Sequence, residues 1–312
     1  MNVYDFKFKG FRVLEFIIIN GICFFLLNAF SQTTHPYDSN EEVFKPILFA
    51  NGIINTIGDE YGPTFSPDGT TLYFVKRLDR NNVEYIYTSQ FESGKWSNPT
   101  ISEFSGYDFD KEPFVSTDGN KLFFASKRPV EGSIPSEKFN LWFVTKEQSE
   151  WSKPQLVNNI QSDGNDNYPS IAANGNLYFA SDRTEGFGEN DLYVSRYNNG
   201  KYSDPVNLGS TFNTKFSDAD PYIAPDESYI IFSSEREDSY GKGDLYISFN
   251  NNGKWSTPQN LGPNINTKDH EYSQLVSPNK KYLFFSRGWG EIDYVEFQTV
   301  LNDIKLSGKN ER

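Results

Sequence analysis

The sequence predicts an all-β fold: a five-bladed β-propeller of four-stranded antiparallel blades, the last blade completed by the N-terminal strand. Three observations predict it. A proline three residues after an acid recurs as Pro63, Pro113, Pro169 and Pro221, with Ser273 in the fifth place, at intervals of roughly 50 residues. An arginine ending an apolar strand recurs in near-constant phase with that series, as Arg77, Arg128, Arg183, Arg236 and Arg287. Aromatic residues make up 17% of the chain, including 19 Tyr and 28 Phe, which suits strands whose faces pack between sheets. Several short strands per unit of this period mark propeller blades.

Residues 1–31 have the pattern of a secretory signal, with basic residues first, an apolar core from Phe16 to Leu27, and Ala29-Phe30-Ser31 as a small-x-small site. An apolar run of about 12 residues, broken by Asn20 and Gly21, is short for a span that needs ~20, so no stable membrane span is expected after cleavage. The expected location is periplasmic or secreted. The single cysteine, Cys23, lies inside this segment, which leaves the mature chain without disulfide or thiol chemistry. Residues 32–42 are polar and read as a linker.

The propeller is expected over 43–297. Val43-Phe44-Lys45-Pro46 followed by Asn55-Thr56 echoes the end of blade four, where Pro258 precedes Asn266-Thr267, so the N-terminus supplies a last strand. Blade one holds the turn Ser66-Pro67-Asp68-Gly69, the strands Leu72 to Lys76 and Tyr85 to Ser89, and Trp96-Ser97-Asn98-Pro99. Proline pre-sets φ and glycine accepts the positive φ of a tight hairpin, which joins the first two strands. Blade two repeats the order with Thr117-Asp118-Gly119 and Trp151-Ser152-Lys153-Pro154, and carries the longest insertion, Pro129 to Phe139. Blades three and four repeat it with Asp191-Leu192-Tyr193 and Asp244-Leu245-Tyr246. Blade five reaches Asp293-Tyr294 and lacks a fourth-strand motif, the gap that residues 43–56 fill so that no sheet edge stays open. Residues 298–312 read as a C-terminal tail, and few helices are expected.

The Ser-Pro-Asp-Gly turns, Ser-x-Arg strand ends, Asp-Leu-Tyr strands and Trp-Ser-x-Pro segments resemble the TolB-like (WD40-like) propeller repeat family over about 43–297. The resemblance implies an exported, bacterial, partner-binding propeller and fixes no ligand, since one fold hosts many functions.

A net charge of −13 without a basic stripe argues against a nucleic-acid partner. With only His35 and His270, histidine metal clusters are excluded, and no cofactor or metal site is expected. Asp163-x-Asn165-x-Asn167 starts like a calcium loop, but Tyr168 stands where glycine is required, so it reads as a turn. Strand order brings two groups to one end of the blades. The first is the acids Glu60, Asp110, Asp166 and Asp218, with His270 in the fifth position beside Asp269 and Glu271, together with the recurring arginines. A demand repeated in every blade is architectural, so Arg77, Arg128, Arg183, Arg236 and Arg287 are expected to pair with inner-strand acids such as Glu60 and Asp110. The second is Phe187-Gly188, Tyr240-Gly241 and Trp289-Gly290, which follow their arginines on the second loops. These three aromatics, with Asp166, Asp218 and Glu271 around them, are the candidate ligand-binding residues for a protein or peptide. No catalytic residue is assigned. The competing reading is a glycan-binding or glycan-hydrolysing propeller that uses inner-strand carboxylates.

Overall fold

The computed structural model describes residues 35–39, 41–56, 58–78, 83–106, 109–130 and 137–310, with 78 and 307–310 described by backbone alone. The expected signal at 1–31, and part of the expected linker, lie outside these residues. Contacts divide the chain into Met1–Asp38 and Ser39–Arg312. In the first unit the described residues form a turn closed by the Asp38 N–H donating to the His35 carbonyl at 2.8 Å.

The second unit is a ring of five antiparallel sheets. From the channel outward, blade one is Asp59–Phe65, Thr71–Leu78, Val83–Glu92 and Thr100–Ile101. Blade two is Asp110–Val115, Lys121–Ser126, Asn140–Glu147 and Gln155–Leu156. Blade three is Asp166–Ile171, Leu177–Ser181, Asp191–Ser195 and Val206–Asn207. Blade four is Asp218–Ile223, Tyr229–Ser234, Asp244–Asn251 and Gln259–Asn260. Blade five is Glu271–Val276, Tyr282–Arg287 and Glu291–Glu296, with Ile47–Leu48 as its outer strand.

Local chemistry accounts for these elements. In the first hairpin the Asp68 carboxylate accepts from the Ser66 hydroxyl at 2.5 Å and the Thr70 N–H at 3.0 Å, while Gly69 takes φ 74°. That short side chain satisfies turn groups the strands cannot reach. The second strand of each blade lies between neighbouring sheets and reads as a continuous apolar run, such as Leu122-Phe123-Phe124-Ala125, all essentially unexposed. Ring closure follows the same rules: Ile47 pairs with Tyr294 and Leu48 with Asp293. Asn55 secures it, donating to the Phe49 and Ile292 carbonyls and accepting from the Ile292 N–H at 2.8 Å. Asn213 and Asn266 make the same two-way bond to Leu192 and Leu245, which explains the recurrence of Asn-Thr.

Two expectations are corrected. The inner-strand bulge aligns Gln274, not Ser273, with the prolines, because Ser273 occupies the bulge position of Gly62. The C-terminal tail contains a helix, Phe297–Asn310. Phe297, Val300 and Ile304 recur at helical spacing and are buried, with the Phe297 ring 5.5 Å from that of Tyr229.

Candidate functional site

The recurring acids sit where the inner strand starts, and most face a recurring arginine. Arg128 pairs with Asp110 at 2.7 Å, Arg183 with Asp166 at 2.8 Å, Arg236 with Asp218 at 2.9 Å and Arg287 with Glu271 at 3.1 Å. Each guanidinium also donates to a carbonyl of the loop leading into its blade, Ile160 for Arg183 and Phe212 for Arg236. Its flat face lies on aromatic rings, Tyr193 at 4.5 Å and Tyr246 at 4.6 Å. The acids hold the same loops: Asp218 accepts from the Thr214 N–H and hydroxyl, Glu271 from those of Thr267.

Blade one departs from the pattern. Glu60 lies opposite Lys76 in register and pairs with it at 2.8 Å, while Arg77 takes Glu84 at 2.7 Å and Asp59 at 3.2 Å. Lysine here stands where three other blades have the serine of Ser-x-Arg, so the arginine is one residue out of step. Asp166, Asp218 and Glu271 must also be reassigned from the candidate binding set. Each is buried and committed to an arginine and at least one hydroxyl, and Asp218 and Glu271 also to a loop amide, so none is presented to a ligand.

The three aromatics are placed differently. Phe187, Tyr240 and Trp289 are 54%, 57% and 78% exposed, on second loops of consecutive blades. Their backbones are pinned. Asp191 of Asp-Leu-Tyr accepts from the Phe187 N–H at 2.6 Å and the Gly188 N–H at 3.2 Å, and Asp244 does the same for Tyr240 and Gly241. The glycines are required by close approach to the next blade. A Cβ on Gly188 would lie 2.3 Å from the Phe216 carbonyl oxygen, one on Gly241 2.2 Å from that of Thr267, and one on Gly290 2.7 Å from the Asp59 Cα. The scaffold therefore uses the glycine and leaves the aromatic in solvent.

A second cluster was missed by the sequence reading. The residue before each proline, and its counterpart in blade five, sits at the bulge with positive φ: Gly62, Glu112, Tyr168, Asp220 and Ser273. The bulge recurs and is architectural, but the side chains that line the channel there differ in every blade. Glu112 from blade two and Asp220 from blade four meet at Ser273 of blade five, whose hydroxyl is 3.0 Å from one and 3.1 Å from the other. One hydroxyl has one hydrogen, so both contacts are hydrogen bonds only when a carboxyl carries a proton. The Ser273 N–H also donates to Asp220 at 3.2 Å, which makes Asp220 the acceptor and Glu112 the protonated partner. Burial, then the Asp220 charge, push Glu112 up to about 8, and burial raises Asp220 to about 7. The space between these groups is about 30 Å³.

His270, the one plausible base of a hydrolytic triad, has its ring 3.1 Å from the Ser233 hydroxyl, but that hydroxyl donates to the Glu271 carbonyl at 3.0 Å and is buried. At the calcium-like stretch Asp163 accepts from the Thr184 N–H, and Asn165 donates to Asp182. Among the described residues no group of three or more His, Cys, Asp or Glu converges as a metal site, and no helix is long and apolar enough to cross a membrane.

No protein-family model and no curated protein matches the chain. Solved structures do. A thermostable family-43 glycoside hydrolase superposes with a TM-score of 0.53 at 13% identity, over 79% of this chain and 91% of that one. A protein of unknown function from Dyadobacter fermentans gives 0.50 at 13% identity, over 83% and 84%. TolB from Acinetobacter baumannii gives 0.48 at 16% identity, over 76% of this chain and 54% of that one, so the match spans about half of the TolB length. Likeness at these identities shows the fold alone: the chain is a five-bladed β-propeller.

Proposed function

We propose that this chain is an exported, non-enzymatic propeller that binds a protein partner through the face carrying Phe187, Tyr240 and Trp289. The observation that carries the reading is the exposure of three large aromatics on loops whose every other feature is accounted for by packing. Large aromatic side chains held on rigid backbone supply contact area with little ordering entropy, and such residues dominate interface energetics. Exposed carboxylates lie on the same loops: Glu185 and Glu189 in blade three, Glu235 in blade four, and Glu291 in blade five. Partial burial first, and then the neighbouring Glu189 and Asp218, raise the Glu235 carboxyl above its ordinary value. A partner that presents basic groups relieves the repulsion from those neighbours.

The competing hydrolase reading needs two carboxylates around a substrate. Glu112 and Asp220 are the unpaired candidates, but the space beside them has room for a water or two and none for a sugar ring. The test is a pull-down with the full chain, followed by affinity measurements on the captured protein. Trp289→Ala is expected to weaken binding by roughly thirtyfold, a hot-spot loss of about 2 kcal/mol. Asp68→Ala, on the opposite end and compared at matched stability, is expected to leave it unchanged. Loss only in Asp68→Ala would sink the assignment.

A further inference from the structure

The seams between blades carry a second departure from the repeat. At the seam between blades one and two, Tyr73, Phe104 and Trp151 form an aromatic triad with ring centres 6.2 Å apart, and the Trp151 indole N–H donates to the Tyr73 hydroxyl at 3.0 Å. Between blades three and four the same places hold Tyr178, Phe212 and Trp255, the last two 5.5 Å apart. Between blades two and three they hold Phe123, Ile160 and Tyr202. Two large side chains are thus replaced by smaller ones at one seam. A cleft of about 500 Å³ lies there, within the ~300–1,000 Å³ range of small-ligand sites.

The lining is specific. Phe143, Tyr197 and Tyr202 give it aromatic walls, each half-buried. The Lys121 ammonium lies inside, 5.1 Å from the Phe143 ring centre and 5.6 Å from that of Tyr197. Among the described residues it forms no ion pair, in a chain of net charge −13. Amides border the opening. Asn159 donates to the Tyr202 carbonyl at 3.1 Å and Gln161 to that of Val157, which leaves their side-chain oxygens turned to acceptor use, while Gln155 and Asn158 are exposed beside them.

We infer that this seam is a binding site for a saccharide bearing a carboxylate, such as a uronic-acid oligosaccharide. A sugar ring offers C–H faces to Tyr197 and Tyr202, hydroxyls to the amides, and an anion to the Lys121 ammonium inside the cleft, with the exposed Lys201 also on its lining. The site is separate from the aromatic loops, and its occupancy does not depend on the partner-binding reading.

The experiment titrates the full chain with oligogalacturonate, its methyl ester and a neutral cello-oligosaccharide, followed by calorimetry. Oligogalacturonate is expected to bind, and the ester to bind about tenfold more weakly because the charge-assisted bond to Lys121 is lost. Lys121→Gln is expected to abolish the difference between acid and ester. Tyr202→Trp, which introduces the residue used at the seams of blades one and two and of blades three and four and refills the cleft, is expected to prevent binding while the melting temperature holds or rises. No binding of oligogalacturonate at millimolar concentration, equal affinity for acid and ester, or undiminished binding in Tyr202→Trp would overturn the inference.

Discussion

Two kinds of buried charge do different jobs at the level of single residues. Asp166 is fully buried and its partner Arg183 has a side chain only 12% exposed, so removing the guanidinium strands a carboxylate. Arg183→Ala is expected to destabilise the fold by about 3–5 kcal/mol, read as a shift in urea midpoint. Lys215 and Glu237 pair at 2.7 Å with side chains 69% and 75% exposed. Water screens that pair, and Lys215→Ala is expected to leave the urea midpoint essentially unchanged. Glu112 works in the opposite sense to the ladder acids because its folded state keeps a proton. Its carboxyl is raised above the ordinary value, so the folded chain binds a proton that the unfolded chain releases. The stabilisation is complete below the ordinary carboxyl range and is lost as pH rises toward 8. The melting temperature is therefore expected to decline between pH 5 and pH 8, and Glu112→Gln, which can still donate to Ser273, is expected to flatten the decline by several degrees.

Each blade, as an element, separates what it needs from what it displays. The aromatic-glycine loops show the division most sharply, because glycine docks on the next blade while its neighbour projects. Gly241→Ala would place a Cβ 2.2 Å from the Thr267 carbonyl and 2.5 Å from that of Asp269, both backbone atoms that cannot turn aside. Overpacking of this kind costs about 1–3 kcal/mol, and the shift of the loop carries Tyr240 with it, so both melting temperature and partner affinity are expected to fall. Gly253, in the outer hairpin of the same blade, has φ 87° and nothing within 4 Å. Gly253→Asn, which suits the left-handed region, is expected to be tolerated within about 1 kcal/mol.

The whole ring depends on one junction. Ile47–Leu48 joins the third strand of blade five, and Asn55 bonds both chain ends together through Ile292 and Phe49. The Phe49 ring packs edge-on against Phe65, Trp96 and Phe284, so the closing segment also seals the seam between blades five and one. Deletion of residues 32–57 is expected to lower the melting temperature sharply in calorimetry. An unchanged transition would mean that the ring holds without strand exchange.

The sequence by itself determined the number of blades, the strand order and the closure, because these rest on short-range signals repeated in register: turn residues, apolar runs and the Asn-Thr that ends three of the blades. It also marked Phe187, Tyr240 and Trp289 as residues the scaffold does not require. What it left undecided depends on contacts between distant positions. Whether Asp166 faces a ligand or Arg183 is decided by burial, which only packed sheets create. Glu112, Asp220 and Ser273 lie one or more blades apart in the chain and meet only because the ring turns their strands toward one axis. A signal for them existed in the variable residue before each recurring proline and before Gln274, which takes the proline's place in blade five, but a carboxylate looks the same in sequence whether it will end in water or in a dry channel. The cleft beside Tyr202 is a matter of volume left by two smaller side chains on different blades, a quantity that arises only when the blades are stacked.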